Sequence, residues 1–224
     1  PVMVVGFATS LWLFFRFKDV PISNTGKTPI ALSRTWGRMK NILGPLAAIL
    51  TLRGFMHGAM TTFLPTFIKL ETGNLWLAGI ALTVFETAGV AGILVAGPLS
   101  DRFGRRRILM ASLVGAPLAL ALLTWTGGWV RYAMMVATGL TLLSTTPVML
   151  AMIQEHAAES PSSANGLFMM VSFMARSATV VAIGWLGDVA GLRATYTIAA
   201  AMGILAIPFI LKLPHGNGPP GGPP

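Results

Sequence analysis

The sequence predicts an all-α membrane protein, with six full transmembrane spans and one shorter apolar segment ahead of them. Hydrophobic residues make up 54% of the chain and charged residues 10%, whereas a soluble domain has roughly 25% charged residues. The apolar runs approach the ~20 residues that a helix needs to cross the hydrocarbon core. Basic residues collect in the gaps between these runs, so the net charge of +9 indicates membrane topology and no nucleic-acid partner.

Six runs are long enough to span a bilayer, and the segments around them differ in character. Residues 1–15 are apolar but too short to span, so we expect the end of a transmembrane helix that begins upstream. Residues 16–41 predict a basic cytoplasmic linker, and residues 213–224 a disordered Gly/Pro tail. The unit that holds these six runs would occupy 42–212. Its predicted spans are about 42–68, 76–97, 108–126, 130–152, 164–186 and 195–212.

The positions of lysine and arginine predict the orientation in the membrane. With residues 16–41 in the cytoplasm, alternating spans leave 11 basic residues on the cytoplasmic side. The outer side holds three, namely Lys69, Arg131 and Arg193. Because cytoplasmic loops carry an excess of lysine and arginine, this difference supports the orientation.

A glycine-bracketed charged segment, Gly97–Arg107, separates the second and third spans and predicts a tight turn at the membrane face. Gly97 and Gly104 would allow the turn and a close approach of neighbouring backbone. Asp101 is placed to accept from backbone N–H groups at a helix start and to pair with Arg105 four residues later. Small-residue patterns elsewhere predict close helix crossings at Gly54 with Gly58, and at Ala88, Gly92 and Ala96.

Part of this segment repeats at a displacement of 87 residues. Because that distance covers three spans, the two copies would face opposite sides, as in an inverted three-plus-three repeat. The matched positions are Gly97, Leu99, Asp101, Gly104 and Arg106, echoed by Gly184, Leu186, Asp188, Gly191 and Arg193.

The pattern G-x-L-x-D-R-x-G-R-R resembles the signature loop of the major facilitator superfamily of secondary transporters. Together with Gln154-Glu155, Ser163–Phe168 and Gly184–Asp188, it resembles the C-terminal half of the fosmidomycin-resistance branch. The resemblance covers about residues 42–212. It implies the six-helix C-terminal half of a twelve-helix transporter, whose partner is an N-terminal six-helix half ahead of this chain.

The resemblance also implies that the charged loop gates the transport cycle by contacting the opposite half. The alternative is that its arginines only anchor the topology. Glu155 and Glu159, in the next cytoplasmic loop, are candidate ion partners for the arginines. The predicted gating residues are Gly97, Asp101, Arg102, Gly104, Arg105, Arg106 and Glu155.

Four ionisable side chains fall within spans: Arg53, His57, Glu86 and Arg176. Charge at that depth is costly, so these groups should face a cavity or a partner. Arg53 and His57 are four residues apart and share one helix face. The functional hypothesis is that Arg53 and Arg176 hold an anionic substrate while Glu86 exchanges a proton. The alternatives are that Glu86 pairs with an arginine to fix helix packing, and that a neutral His57 sits in a helix interface.

Motifs for other protein classes are missing from the sequence. It has no phosphate-binding P-loop, no evident nucleophile and base pair, no cysteine and only three scattered histidines. We therefore predict no enzyme, cofactor or metal site. The sequence predicts a secondary transporter in a bacterial inner membrane, with proton-coupled efflux of a small, anionic organic compound or drug. The alternatives are an uptake carrier for an organic anion or metabolite, and a membrane-embedded binding or assembly module without transport of its own.

Overall fold

The computed structural model describes residues 2–17, 32–156 and 161–213, which form helices joined by short turns. No strand occurs in these ranges, and six helical stretches there are long and apolar enough to cross a membrane. The predicted all-α, six-span architecture is confirmed. The helices are α1 (Val2–Phe17), α2 (Leu32–Gly58), α3 (Leu64–Thr72), α4 (Leu75–Phe103), α5 (Arg105–Trp125), α6 (Gly128–His156), α7 (Pro161–Ala190), α8 (Leu192–Leu205) and α9 (Ile207–Leu211).

The segments outside the six spans differ from the prediction in their bounds. Helix α1 has 16 residues and belongs to a separate compact unit from the rest of the chain. Helix α2 begins at Leu32, ten residues before the predicted first span, so part of the predicted linker is helical. No proline lies between Leu32 and Gly44, so the helix can extend on the N-terminal side of its apolar part. Residues 18–31 of the linker and the tail from 214 onward lie outside the described residues.

Glycine brings two helix pairs into close contact. A Cβ added at Gly54 would lie 3.0 Å from Thr179 Oγ1, and one at Gly58 would lie 3.2 Å from Ile183, so α2 crosses α7 closely. A Cβ at Gly92 would collide with the backbone carbonyl group of Leu140, where α4 crosses α6. Small residues permit this approach, and the resulting contact supplies packing that lipid-facing surfaces lack.

The first span changes its winding halfway. Between α2 and α3, Ala59–Phe63 forms one π-helical turn, which we call the π turn. Pro65 follows it closely, and its missing N–H and its ring disfavour regular α-helix in the preceding turn. Tyr196 on α8 donates a hydrogen bond of 2.8 Å to the Ala59 carbonyl oxygen, and its ring stacks on Phe67 at 4.5 Å. These contacts hold the irregular turn against α8.

The turn between α4 and α5 is shorter than predicted. Gly97 lies inside α4, so the predicted turn there was wrong. No atom of the described residues lies within 4 Å of the position that its Cβ would take, and the predicted close approach stays a prediction. The backbone stays helical through Gly97 and as far as Phe103, and it turns only at Gly104, where φ is +91°. Gly191, 87 residues later, separates α7 from α8 with φ of +80°. The two repeat copies therefore turn at equivalent glycines, while Gly184 stays helical as Gly97 does.

A candidate anion site between the first, fourth and fifth spans

A cavity of about 170 Å³ lies where α2, α6 and α7 meet. Three of the four intramembrane ionisable residues line it, because α2 crosses α7 closely at Gly54 and carries Arg53 and His57 on that side. Helix α7 adds Arg176, which is exposed to the cavity side of the bundle. The lining residues are Leu50, Arg53, Gly54, His57, Thr146, Phe168, Met169, Ser172, Phe173 and Arg176.

Arg53 is fixed in place by the fourth span. The side chain is only 5% exposed, and its Nη2 donates to the Leu142 carbonyl oxygen and to Thr146 Oγ1, both at 3.2 Å. These bonds connect α2 to α6 and meet part of the cost of holding a guanidinium within the membrane. Its Nε is buried without a hydrogen-bond partner in the described part of the chain.

Residues that line the cavity carry buried polar atoms without a hydrogen-bond partner in the described part of the chain. Five buried side-chain polar atoms lack a hydrogen bond within the described ranges, and three of them belong to lining residues. Those three are Arg53 Nε, His57 Nδ1 and Ser172 Oγ. Since native structures leave few such atoms unpaired, their concentration in one cavity indicates a place for a ligand or water.

Glu86 is not part of this cavity. It lies on α4, half-buried, and forms no ion pair with any residue that the structure describes. The structure therefore brings Arg53, His57 and Arg176 together and leaves Glu86 apart. Neither the shared site with both arginines nor the alternative pairing of Glu86 with an arginine is seen in the described residues.

At one end of the bundle, the charged loop makes several polar contacts. Arg105 Nη2 lies 2.9 Å from Glu155 Oε1 and 3.6 Å from Asp101 Oδ1. Arg106 donates to the Leu211 carbonyl oxygen at 3.3 Å. Asp101 is 69% exposed, and α5 begins without a side-chain cap, so the predicted capping by Asp101 is not seen.

Arg102, another member of the predicted gating loop, contacts an aromatic ring next to it. The Arg102 guanidinium lies 5.5 Å from the centre of the Phe103 ring. Glu159 falls outside the described residues. The gating role of the loop stays a prediction.

The opposite end of the bundle carries a cluster that sequence reasoning missed, formed by Glu71, Arg131 and Arg193 and called here the Glu71 cluster. Arg193 Nη2 lies 2.8 Å from both carboxylate oxygens of Glu71, and Arg131 Nη2 lies 2.9 Å from Oε2. Arg131 Nε also donates to the Thr126 carbonyl oxygen at 2.8 Å. The available signal was a carboxylate ending the first span on the side of these two arginines.

The two ion-paired ends mirror each other. At one end, Arg105 at the start of α5 reaches Glu155 at the end of α6. At the other, Arg193 at the start of α8 reaches Glu71 at the end of α3. Each pair joins a helix of one three-span repeat to a helix of the other, although the repeat counterpart of Arg193 is Arg106 and not Arg105. Asp188, the repeat position next to this end, is exposed.

A Glu71→Gln substitution is expected to lower the free energy of unfolding by about 1–3 kcal/mol, because it leaves the largely buried Arg131 without its anion. Thermal unfolding of the purified protein in detergent measures this. Asp188→Asn is the matched carboxylate-to-amide control and should change the melting temperature little. Equal melting temperatures for Glu71→Gln and the wild type would show that the cluster contributes nothing to stability.

The inverted repeat and the cationic cavity within six apolar helices define the class of a membrane transport protein. A family model described as Major Facilitator Superfamily matches residues 46–223, and the chain belongs to that family. This membership confirms the predicted family and class of protein, which comprises transporters and not enzymes.

Three relatives place the chain more closely. It is 32% identical over 145 residues to the uncharacterised MFS-type transporter YfnC of Bacillus subtilis (strain 168), covering 63% of this chain and 35% of the relative. It is 26% identical over 192 residues to the fosmidomycin resistance protein of Escherichia coli (strain K12), covering 82% and 46%. It is 39% identical over 64 residues to the class C tetracycline resistance protein of Escherichia coli, covering 28% and 16%. The chain thus spans less than half the length of each relative.

Proposed function

We propose that this chain is one half of a secondary transporter that exports a small organic anion from a bacterial cell in exchange for protons. The observation that carries the proposal is the convergence of Arg53, His57 and Arg176 on one cavity inside the membrane-spanning bundle. Intramembrane cations around a cavity are typical of a substrate or ion pathway. The relatives are bacterial, and two are named for resistance to a drug, which supports efflux across the inner membrane.

The distribution of polar side chains supports a second half as the partner. In α5 from 111 to 125 and in α8 from 194 to 205, every exposed side chain is apolar, which suits contact with lipid. The spans at α2–α3, α4 and α7 instead expose hydroxyl and charged groups at membrane depth, and these favour a protein or aqueous neighbour. The exposed polar residues include Thr51, Thr62, Thr66, Thr83, Thr87, Arg176 and Ser177.

In the proposed mechanism, the anion binds in the cationic cavity while the two halves alternate between openings to each side. The contacts of Arg105 with Asp101 and Glu155 stabilise the state that is closed at that end, and this end faces the cytoplasm. Glu86, on the same polar-exposing side of the bundle as Thr83 and Thr87, binds and releases the coupling proton. Protonation changes the charge balance of that side without a direct contact to the cavity.

The test is drug accumulation in a susceptible bacterial host that expresses the complete reading frame. The drugs are labelled fosmidomycin and tetracycline, for which two of the relatives are named. Their accumulation is measured with and without a protonophore. We expect cells with the transporter to accumulate several-fold less fosmidomycin, a phosphonate anion, and to lose this difference with the protonophore. An Arg176→Gln variant should accumulate the drug as cells without the protein do.

The other outcomes overturn the proposal in distinct ways. Higher accumulation than in control cells would indicate an uptake carrier. Unchanged accumulation of both drugs, with the protein verified in the membrane, would favour a binding or assembly module without transport.

A further inference from the structure

We propose that the cavity binds an amphiphilic organic anion, with its oxyanion group contacting Arg176, His57 and Ser172 and its apolar body lying along Phe168, Met169 and Phe173. This inference rests on the proposed function for its biological setting. It adds the chemical class of the ligand and the division of labour among the lining residues.

The charge of the cavity selects an anion. Its lining includes two guanidinium groups, and none of the ten described lining residues is acidic. Arg53 already donates to the Leu142 carbonyl and Thr146, so it supplies charge from behind. Arg176 is exposed and has no carboxylate partner among the described residues. Its planar guanidinium is therefore the group that is free to hold a carboxylate or phosphonate by two bonds.

The unpaired atoms select a ligand that accepts hydrogen bonds. His57 Nδ1 and Ser172 Oγ, on two helices that line the cavity, are buried without a hydrogen-bond partner among the residues that the structure describes. With the imidazole proton on Nδ1, both groups donate to one oxyanion, which restores the bonds that burial has removed. A cationic ligand would be repelled by both arginines.

The remaining wall is apolar and lies beside the polar end. Phe168 is buried, whereas Phe173 and Met169 are exposed, and all three line the cavity from α7. Aromatic rings and a thioether form an adaptable surface for a flat or aliphatic body. The ligand is therefore an acid with an attached ring or chain, and an inorganic anion alone would leave this wall unused.

The test measures equilibrium binding to the full protein in detergent, with no membrane or proton gradient, by saturation-transfer NMR. The probes are benzoate, phenylphosphonate and benzamide, which share a ring and differ in charge. We expect both anions to bind competitively and roughly tenfold or more tightly than the neutral benzamide, with saturation reaching the ring protons. Equal affinity for benzamide and benzoate would overturn the anion assignment. If phosphate inhibits benzoate binding as strongly as phenylphosphonate does, the role of the apolar wall is overturned.

Variants then separate the residues. Arg176→Gln is expected to weaken benzoate roughly tenfold and to leave benzamide unchanged, and Ser172→Ala to weaken benzoate roughly threefold. Ser177→Ala, on the same helix outside the cavity, and Arg107→Gln, at the start of α5, are the matched controls. Arg53→Lys keeps the charge and should cost less affinity than Arg176→Gln. A larger loss in Arg53→Lys than in Arg176→Gln would overturn the assignment of Arg176 as the main contact.

Only variants that elute and melt like the wild type are compared, and Arg176→Lys replaces Arg176→Gln if the latter is unstable. Arg176→Lys should lose the bidentate contact and weaken benzoate measurably. Binding as expected without any drug transport would leave this site in place and remove the transporter proposal. Transport without selective benzoate binding would do the reverse.

Discussion

A Gly92→Ala substitution is expected to lower the yield of folded protein sharply. The added Cβ would collide with the backbone carbonyl group of Leu140, where α4 and α6 cross. Since the atoms that it would meet belong to the backbone and not to the end of a flexible side chain, the two helices must separate. Overpacking of this kind costs about 1–3 kcal/mol or more, and the separation also disturbs Arg53, which donates to Leu142 on the same helix.

Gly79→Ala is the matched control, because it lies on α4 with nothing within 4 Å of its Cβ position. There the better helix propensity of alanine, roughly 1 kcal/mol over glycine, should be neutral or favourable. Fluorescence-detected size-exclusion chromatography and thermal unfolding compare the two variants. If both variants behave alike, the close crossing of α4 and α6 is not required for folding.

Under the proposed function, a Glu86→Gln substitution in the complete protein is expected to abolish proton-driven export while preserving substrate binding and exchange. Glu86 is a half-buried carboxylate on the second span and has no ion-pair partner within the described ranges. Since this carboxylate forms no ion pair with the described residues, its neutral amide isostere should fold normally. Without a group that gains and loses a proton, the proton gradient no longer drives the cycle.

Everted vesicles separate these activities: imposed proton gradients measure driven transport, and counterflow without a gradient measures exchange. Thr87→Val, at the adjacent exposed position, is the control and should retain both activities. Driven export that persists in Glu86→Gln would remove Glu86 from the coupling mechanism and place the proton site elsewhere in the protein.

The features that local pattern determines were predictable from the sequence. Run lengths identify the six spans, and the four-residue spacing of Arg53 and His57 places them on one helix face. The 87-residue displacement also points to Gly104 and Gly191, which both adopt positive φ.

Features that depend on tertiary packing were not predictable from the sequence. Intramembrane charge marked Glu86 and Arg176 alike, yet only the crossing of α2 with α7 decides that Arg176 joins the cavity. Glu71 escaped notice because its importance comes from two arginines 60 and 122 residues away. The extent of α4 past Gly97 was missed because a glycine signals a turn but does not require one.

The π turn sets the relative direction of two polar sites on the first span, the cavity residues within it and the carboxylate at its end. Each residue added to or removed from an α-helix rotates all that follows by about 100° around the axis. Ala59–Phe63 lies between the cavity residues Arg53 and His57 and the terminal carboxylate Glu71. Its winding therefore sets the angular phase between them. Deleting one residue here would leave the segments on both sides unchanged but would turn Glu71 away from Arg131 and Arg193. The winding of this single helix therefore keeps the cavity residues and Glu71 each directed at their own partners.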